Sequence, residues 1–396
     1  MKKLVIAAAV LGAFAGTAQA QSSVTLFGVV DTNVVHLNGI NNGNGGTTSK
    51  TFEDNSGINS SRIGFRGTED LGGGLKAGFW LEAGINTNNG TGVATSTNNQ
   101  SNGGAIAGLG GGQGLTFNRR ATVSLIGDSW GEVRIGRDYT PTFWNAANVD
   151  PMGYNGIAEI ASLLFESQGA MGPLAVRASN GISYLTPNTL GGIFVQATYA
   201  MGNNANNQSS PNGTTPGACG AAPAPCFNIG DNGNYYGING GYQSGPLYAG
   251  LATSETKFAQ TASTGNIHTT NLGVSYNFGV VKPDFFWQTS KIDASSATST
   301  DFRTDVWSVG ASVPLGQGEF RANFARANGH DQFAGNSANM FGLAYVYNLS
   351  KRTALYAQYA RVSNHGDDFD FSLNAYSAPR IGDSESGVAL GVRTSF

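Results

Sequence analysis

Short segments all along this chain alternate apolar with polar residues, and the last of them ends in Phe396. Thr270, Leu272, Val274, Tyr276 and Phe278 interleave with Asn271, Gly273, Ser275 and Asn277. The same split recurs at Phe341, Leu343, Tyr345, Tyr347, Leu349 and at Val388, Leu390, Val392, Thr394, Phe396. A β-strand points successive side chains to opposite faces, so each segment has one apolar and one wet face. No run of 18 apolar residues follows the start of the chain, so no helix is available to span a bilayer. The pattern describes a closed barrel instead, with lipid outside, water inside, and every backbone group paired with a neighbouring strand.

Export is read from residues 1–20. Lys2 and Lys3 precede an apolar stretch over 4–14, and Ala18, Gln19 and Ala20 form a small-residue cleavage site before Gln21. The expected mature chain has 376 residues (396 − 20), with 20 basic residues (22 − 2) against 25 acidic ones. At 12% charged residues it is neither basic enough for nucleic acid nor charged enough for disorder. Cys219 and Cys226 lie in a Pro- and Gly-rich segment. Export to an oxidising compartment favours a loop disulfide over a metal site there.

The alternation predicts sixteen strands: 24–36, 60–69, 75–85, 116–126, 132–138, 177–186, 192–201, 235–243, 246–257, 267–278, 280–291, 303–313, 319–328, 338–348, 352–363 and 386–396. Seven connections are short and rich in Gly, Pro, Asn and Asp, as at 70–74, 127–131, 187–191 and 314–318. Eight are longer and polar, including 37–59, 86–115, 139–176, 202–234 and 364–385. Short and long alternate strictly, as in outer-membrane barrels with tight periplasmic turns and long external loops. A soluble sandwich has no reason to sort its loops this way. The Asn/Gly/Ser/Thr-rich tracts are therefore surface loops of one barrel domain over 21–396.

Several stretches resemble the general porins of beta-proteobacteria, a group that also includes the neisserial porins. They are Ser61-Arg62-Ile63-Gly64-Phe65-Arg66-Gly67-Thr68-Glu69-Asp70-Leu71-Gly72-Gly73-Gly74-Leu75-Lys76-Ala77, Gly131-Glu132-Val133-Arg134-Ile135-Gly136-Arg137-Asp138-Tyr139-Thr140-Pro141, and Tyr347-Asn348-Leu349-Ser350-Lys351-Arg352-Thr353-Ala354-Leu355-Tyr356. Gly391-Val392-Arg393-Thr394-Ser395-Phe396 and the opening Val24-Thr25-Leu26-Phe27-Gly28-Val29-Val30-Asp31 extend the likeness over the whole mature chain. The resemblance implies an all-β, 16-stranded antiparallel transmembrane β-barrel, trimeric, whose third external loop (139–176) folds inward and narrows the channel. It also implies that the terminal strand with Phe396 serves as a signal to the outer-membrane assembly machinery. The chain departs from the family in having Thr394 and Ser395 between Arg393 and the final aromatic. Its third-loop region begins Thr140-Pro141-Thr142-Phe143-Trp144, with no acidic motif to mark the constriction.

Strand parity places charge in the lumen. Ile63 and Phe65 face lipid, which turns Arg62 and Arg66 inward; Ala121, Val123 and Leu125 do the same for Arg120, and Val133 and Ile135 for Arg134. Arg321, Glu319 and Arg393 are inward on the later strands, and Lys76, Asp31 and Glu82 share lumen parity. A charge on the lipid face near the midplane costs about 2–4 kcal/mol, which enforces that placement. Arg137 shares a face with Val133 and Ile135, so parity must fail there. The early arginines are expected to form a positive wall facing a loop with Asp150, Glu159 and Glu166, and opposed charges across a narrow aqueous gap bias which ions pass. Tyr184, Tyr199, Tyr242, Tyr276, Tyr345, Trp287 and Phe396 have lipid parity near strand ends, as interfacial girdles do.

Catalysis has little support. His36, His268, His330 and His365 form neither a zinc-binding pair nor a nucleophile–acid set, and the Gly-rich run 108–114 lacks the Lys-Ser/Thr of a phosphate loop. No cofactor or metal is expected. The sequence thus points to a channel in the bacterial outer membrane for passive diffusion of small ions and hydrophilic solutes. The expected partners are outer-membrane lipid and lipopolysaccharide, further copies of the chain in a homotrimer, and no nucleic acid. The alternative reading is a surface adhesin whose loops bind partners.

Overall fold

The computed structural model describes residues 23–95, 99, 112–166, 175–205, 209–210, 219, 226–257, 265–293, 301–373 and 378–396. The leader at 1–20 lies outside them. One 17-stranded antiparallel sheet makes up most of the chain. Its strands are β1 (Ser23–Asn41), β2 (Thr47–Asn55), β3 (Arg62–Gly72), β4 (Leu75–Gly84), β5 (Arg120–Gly127) and β6 (Gly131–Tyr139). Next come β7 (Arg177–Leu185), β8 (Ile193–Ala200), β9 (Tyr235–Ser244), β10 (Leu247–Thr256), β11 (Ile267–Tyr276) and β12 (Lys282–Ile292). The last are β13 (Phe302–Leu315), β14 (Gly318–Asp331), β15 (Ser337–Asn348), β16 (Thr353–His365) and β17 (Ser384–Ser395). Apart from β2 and β3, which both pair with β1, successive strands pair as antiparallel neighbours, and β17 returns to β1 over Val29↔Ser395 to Asn38↔Ser386, which closes the barrel.

Seventeen strands make sixteen staves, because β2 and β3 lie end to end along the same edge of β1. Val24 to Val29 pair with Gly67 to Arg62, and Thr32 to Asn41 pair with Asn55 to Thr47. The region 37–59, expected as a loop, is therefore mostly strand. Between β2 and β3, residues 56–61 bend inward. Asp31 fixes the bend: its carboxylate accepts the backbone N–H groups of Gly57 (3.1 Å), Ile58 (3.0 Å) and Asn59 (2.8 Å) and the hydroxyl of Tyr356.

The outer face carries Val24, Leu26, Val123, Leu125, Ile135, Leu251, Val388 and Leu390, all exposed as a lipid-facing surface should be. Part of the interior is solid. Thr140 caps a short helix, α1 (Pro141–Ala147), with Pro141 in its first turn, where the missing N–H costs nothing. Asn145 bolts this helix to the wall, donating to the Gly250 carbonyl (3.1 Å) and Asn271 Oδ1 (2.9 Å) while accepting from the Tyr248 hydroxyl (2.7 Å). The chain then runs on through α2 (Ala161–Glu166), burying Val149, Met152, Ile157, Ile160, Leu163 and Leu164. Their seat is an inner wall of small side chains, including Ala325, Ala327, Ala344, Ala360 and Ala389. Each of the larger loop side chains, such as Met152, Ile157 or Leu163, contributes about 1.5–3 kcal/mol on leaving water. Gly273, Gly310 and Gly342 complete the seat. A Cβ on Gly342 would lie 2.8 Å from the Ala158 carbonyl oxygen, and one on Gly310 would lie 2.8 Å from Pro151. Phe369, Phe371 and Leu373, from the connection expected to be wholly external, also tuck into this core.

Candidate functional site

The loop core occupies the side of the lumen lined by β10–β17 and by Val35 and Leu37 of β1. Opposite it, β3–β7 present the arginines. Arg62 lies 3.6 Å from Glu82 and donates to Asn59 Oδ1 (2.8 Å) and the Ser60 carbonyl (3.0 Å), so it is tied to the inward bend. Arg120 stands 3.6 Å from Asp138 with its guanidinium over the Trp80 ring, 4.7 Å from the centroid. Arg134 donates to both Glu132 oxygens (2.6 and 2.9 Å) and to Asp138 (3.0 Å). Arg66 has no carboxylate partner among the described residues; it rests between Phe27 and Trp80, 5.3 and 5.1 Å from their centroids. Arg66, Arg120 and Arg134 line a cavity of about 370 Å³ with Trp80 and Glu132.

Three further arginines join this wall. Between Gly136 and Asp138 the pairing with β7 slips by a residue, and Gly136 takes φ +132, which a side chain rarely allows. The bulge swings Arg137 inward to the Asn118 carbonyl (2.5 Å) and Ser179 Oγ (2.7 Å). Arg119 pairs with Glu82 at 2.6 Å and donates to the Tyr139 hydroxyl at 2.8 Å. Arg177 reaches the same hydroxyl at 3.4 Å and lies 4.6 Å from the Tyr139 ring centroid. Sequence reasoning missed Arg119 and Arg177. Arg119 precedes the first residue of β5, where alternation has not begun, and Arg177 shares lumen parity with Ser179 and Ser183 opposite outward Ile182 and Tyr184.

The wall thus sets seven guanidinium groups (Arg62, Arg66, Arg119, Arg120, Arg134, Arg137, Arg177) against the carboxylates of Glu82, Glu132 and Asp138, a formal balance of +4 (7 − 3). The other expected site residues lie elsewhere. Lys76 pairs with Asp128 (2.9 Å) at the mouth that carries the short turns, and Arg321 pairs with Glu319 (2.6 Å) on the opposite wall. Asp31 has lumen parity but is fully buried, so it anchors the bend and does not touch the aqueous path. Asp150 is buried too, accepting the N–H groups of Met152 and Tyr154 (both 3.1 Å). Burial pushes its carboxyl up to about 6 against the pull of those N–H groups. Glu159 is part-exposed, with Asp150 and Asp54 near enough to push its carboxyl up further than burial alone does. Glu166 ends α2, and its side chain lies outside the described residues. The loop tip reaches the bend: Ser60 Oγ donates to Asn155 Oδ1 at 2.6 Å. Cys219 and Cys226 are joined by a disulfide, Cα atoms 5.6 Å apart.

A closed barrel with an apolar exterior, a lumen narrowed by its own loop core and charge along its aqueous side is a transmembrane channel. A family profile described as Gram-negative porin matches residues 7–367. Outer membrane porin protein 32 of Delftia acidovorans is 38% identical over the full length of both chains. The solved anion-selective porin of Comamonas acidovorans superposes with a TM-score of 0.76 at 34% identity, covering 95% of this chain and all of that one. The trimer form of OmpT from Vibrio cholerae shares the fold alone, with a TM-score of 0.60 at 11% identity over 95% of this chain and 99% of that one. The chain belongs to the Gram-negative porin family. It is an outer-membrane channel for diffusion; the relatives are channels rather than enzymes, which leaves the adhesin alternative without support.

Proposed function

We propose that this channel favours anions and that residues 139–176 form its constriction. The observation that carries the reading is the +4 balance of the wall on β3–β7, facing a loop whose Asp150 is turned away from water. Fixed positive charge in a narrow aqueous gap concentrates anions and repels cations. The anion-selective relative from Comamonas acidovorans supports the same sign. Arg62 and Arg119 meet the solute where the bend and the loop tip close together, the buried Arg177 adds its charge beside Tyr139, and Arg66, Arg120 and Arg134 line the path below. Lys76 and Arg321 act at the periplasmic side and on the far wall, and Glu159 tempers the preference from the loop.

The homotrimer reading rests on the outer surface. The aliphatic faces of β1, β5–β7 and β17 suit contact with a second copy, whereas Tyr199, Tyr236, Tyr242 and Tyr276 on β8–β11, with Phe278 just beyond β11, cluster as a lipid girdle does. Export by cleavage after Ala20 and recognition of the Phe396 strand by the assembly machinery complete the reading. The test is a current–voltage curve in planar bilayers under a salt gradient. Stepwise openings with a reversal potential on the anion side are expected, and a cation-side reversal would overturn the charge assignment.

A further inference from the structure

The outer face of β12–β16 changes character across one row of side chains. Phe285, Trp287, Trp307, Phe324 and Phe341 form an aromatic band, with Trp287 paired to Trp307 across strands and the Trp307 and Phe324 rings 5.6 Å apart. Such a band marks the border between hydrocarbon and head groups. Immediately toward the external rim the same parity carries Asp305, Arg326, Asn339 and Arg361. Lys291, Arg303, His268 and His330 on this outer rim each have an aspartate beside them. Arg326 and Arg361 have no carboxylate partner among the described residues. Arg326 is held instead by two amides, donating to Asn328 Oδ1 (2.8 Å) and Asn339 Oδ1 (2.9 Å), while Arg361 donates to Ser363 Oγ (3.4 Å). Arg326 also lines an outward cleft of about 530 Å³ with Trp287, Trp307, Asn328 and His330.

We infer that Arg326 and Arg361 form a docking site for the phosphate-bearing head group of lipopolysaccharide in the outer leaflet. A guanidinium has five N–H donors in a planar fork that matches phosphate oxygens two at a time, and the amides leave most of those of Arg326 unused. The site lies at head-group depth on the external side, where an unpaired cation meets anionic lipid. A second copy of the chain fits less well here, because the aliphatic faces of β1 and β5–β7 offer no counter-charge. The inference rests on the outer-membrane channel reading, with the long connections outside.

The experiment uses detergent-purified full-length protein freed of lipid and titrated with deep-rough lipopolysaccharide, with the same glycolipid after dephosphorylation, and with inorganic phosphate as competitor. Bound glycolipid is counted by native mass spectrometry. The parent should bind the phosphorylated form, and the double variant Arg326→Gln/Arg361→Gln should bind it about tenfold more weakly, the loss expected for charge-assisted pairs. The Arg326→Lys/Arg361→Lys pair, which keeps the charge, should retain most binding and serves if the Gln pair fails to fold. Equal affinity of parent and Gln pair, equal affinity for the dephosphorylated glycolipid, or loss of the oligomer in place of the lipid would each overturn the inference. Ohmic steps in lipopolysaccharide-free bilayers should be the same for parent and variants. Normal channels without glycolipid binding would sink this inference alone; no channels at all would sink the reading beneath it.

Discussion

Tyr139 organises the positive wall at the level of single residues. Its ring lies beside the Arg119 and Arg177 guanidinium groups, and its hydroxyl accepts from both while donating to Glu82 at 3.3 Å. Arg66 is the simplest probe, because its removal strands no carboxylate. A unit charge about 7 Å from a passing ion in water is worth roughly 0.6 kcal/mol, close to the thermal energy. Arg66→Ala should therefore change the permeability of each ion by up to about a factor of two to three in opposite senses, lowering the anion-to-cation ratio by up to about sevenfold at low salt. The difference should vanish near 1 M salt, where screening acts within about 3 Å. An unchanged reversal potential at low salt would make Arg66 an ordinary wetted side chain. Asp31→Asn tests the bend. An amide cannot accept three backbone N–H groups and a hydroxyl together, and stranding buried donors costs about 1–3 kcal/mol. The variant should convert from folded to unfolded barrel at a lower temperature on semi-native gels; an unaltered transition would argue against the anchor. Arg62, Arg66, Arg120 and Arg134 are legible in the sequence because alternation fixes their face. Arg119 escapes it by sitting one residue before the strand, and the inward turn of Arg137 depends on a bulge that the sequence marks only with Gly136.

At the scale of elements, the loop inside the barrel behaves as a packed core rather than a flap. Asp150 makes its seating depend on pH. Its carboxyl is raised to about 6 in the seated loop and lies near 3.9 in an unfolded chain, so the seated state binds more protons between those values. Seating is favoured fully below about pH 4 and weakens as pH rises through 6. Hydrogen-exchange protection of residues 140–166 should fall over that interval in the parent, and Asp150→Asn should flatten the fall; parallel profiles would discard Asp150 as the cause. The Cys219–Cys226 bridge belongs to the connection between β8 and β9, expected on the external side, so its double Ser variant should keep the single-channel conductance of the parent, and a clear change would put that loop in the aqueous path. The elements the sequence hides are those outside the lipid's reach. β2 reads Thr47-Thr48-Ser49-Lys50-Thr51-Phe52-Glu53-Asp54-Asn55, polar apart from the inward Phe52, because no hydrocarbon demands an apolar outer face so near the rim. The loop's apolar residues are visible in the sequence, but their seat of Ala and Gly reads only as small lumen positions.

The whole molecule is sealed at one seam. The Phe396 N–H donates to the Gly28 carbonyl and its carbonyl accepts the Gly28 N–H, both at 3.0 Å, so the final residue completes the pairing of β17 with β1. Removing Phe396 takes away both bonds and the ring over Gly28, and should lower the yield of heat-modifiable oligomer on semi-native gels. An undiminished yield would show that the seam closes without it. The alternation of strands and the sorting of connections made this closure legible from one end of the sequence to the other, since lipid imposes the same demand on every stave. The inner seat sets a different kind of limit. Gly310 and Gly342 cannot gain even a methyl group without pressing on Pro151 or Ala158, so the loop-bearing side of the interior is held to one size. Descendants of this chain that come to pass other solutes must therefore change on the arginine side, as a vice is adjusted by moving one jaw against another that is cast in place.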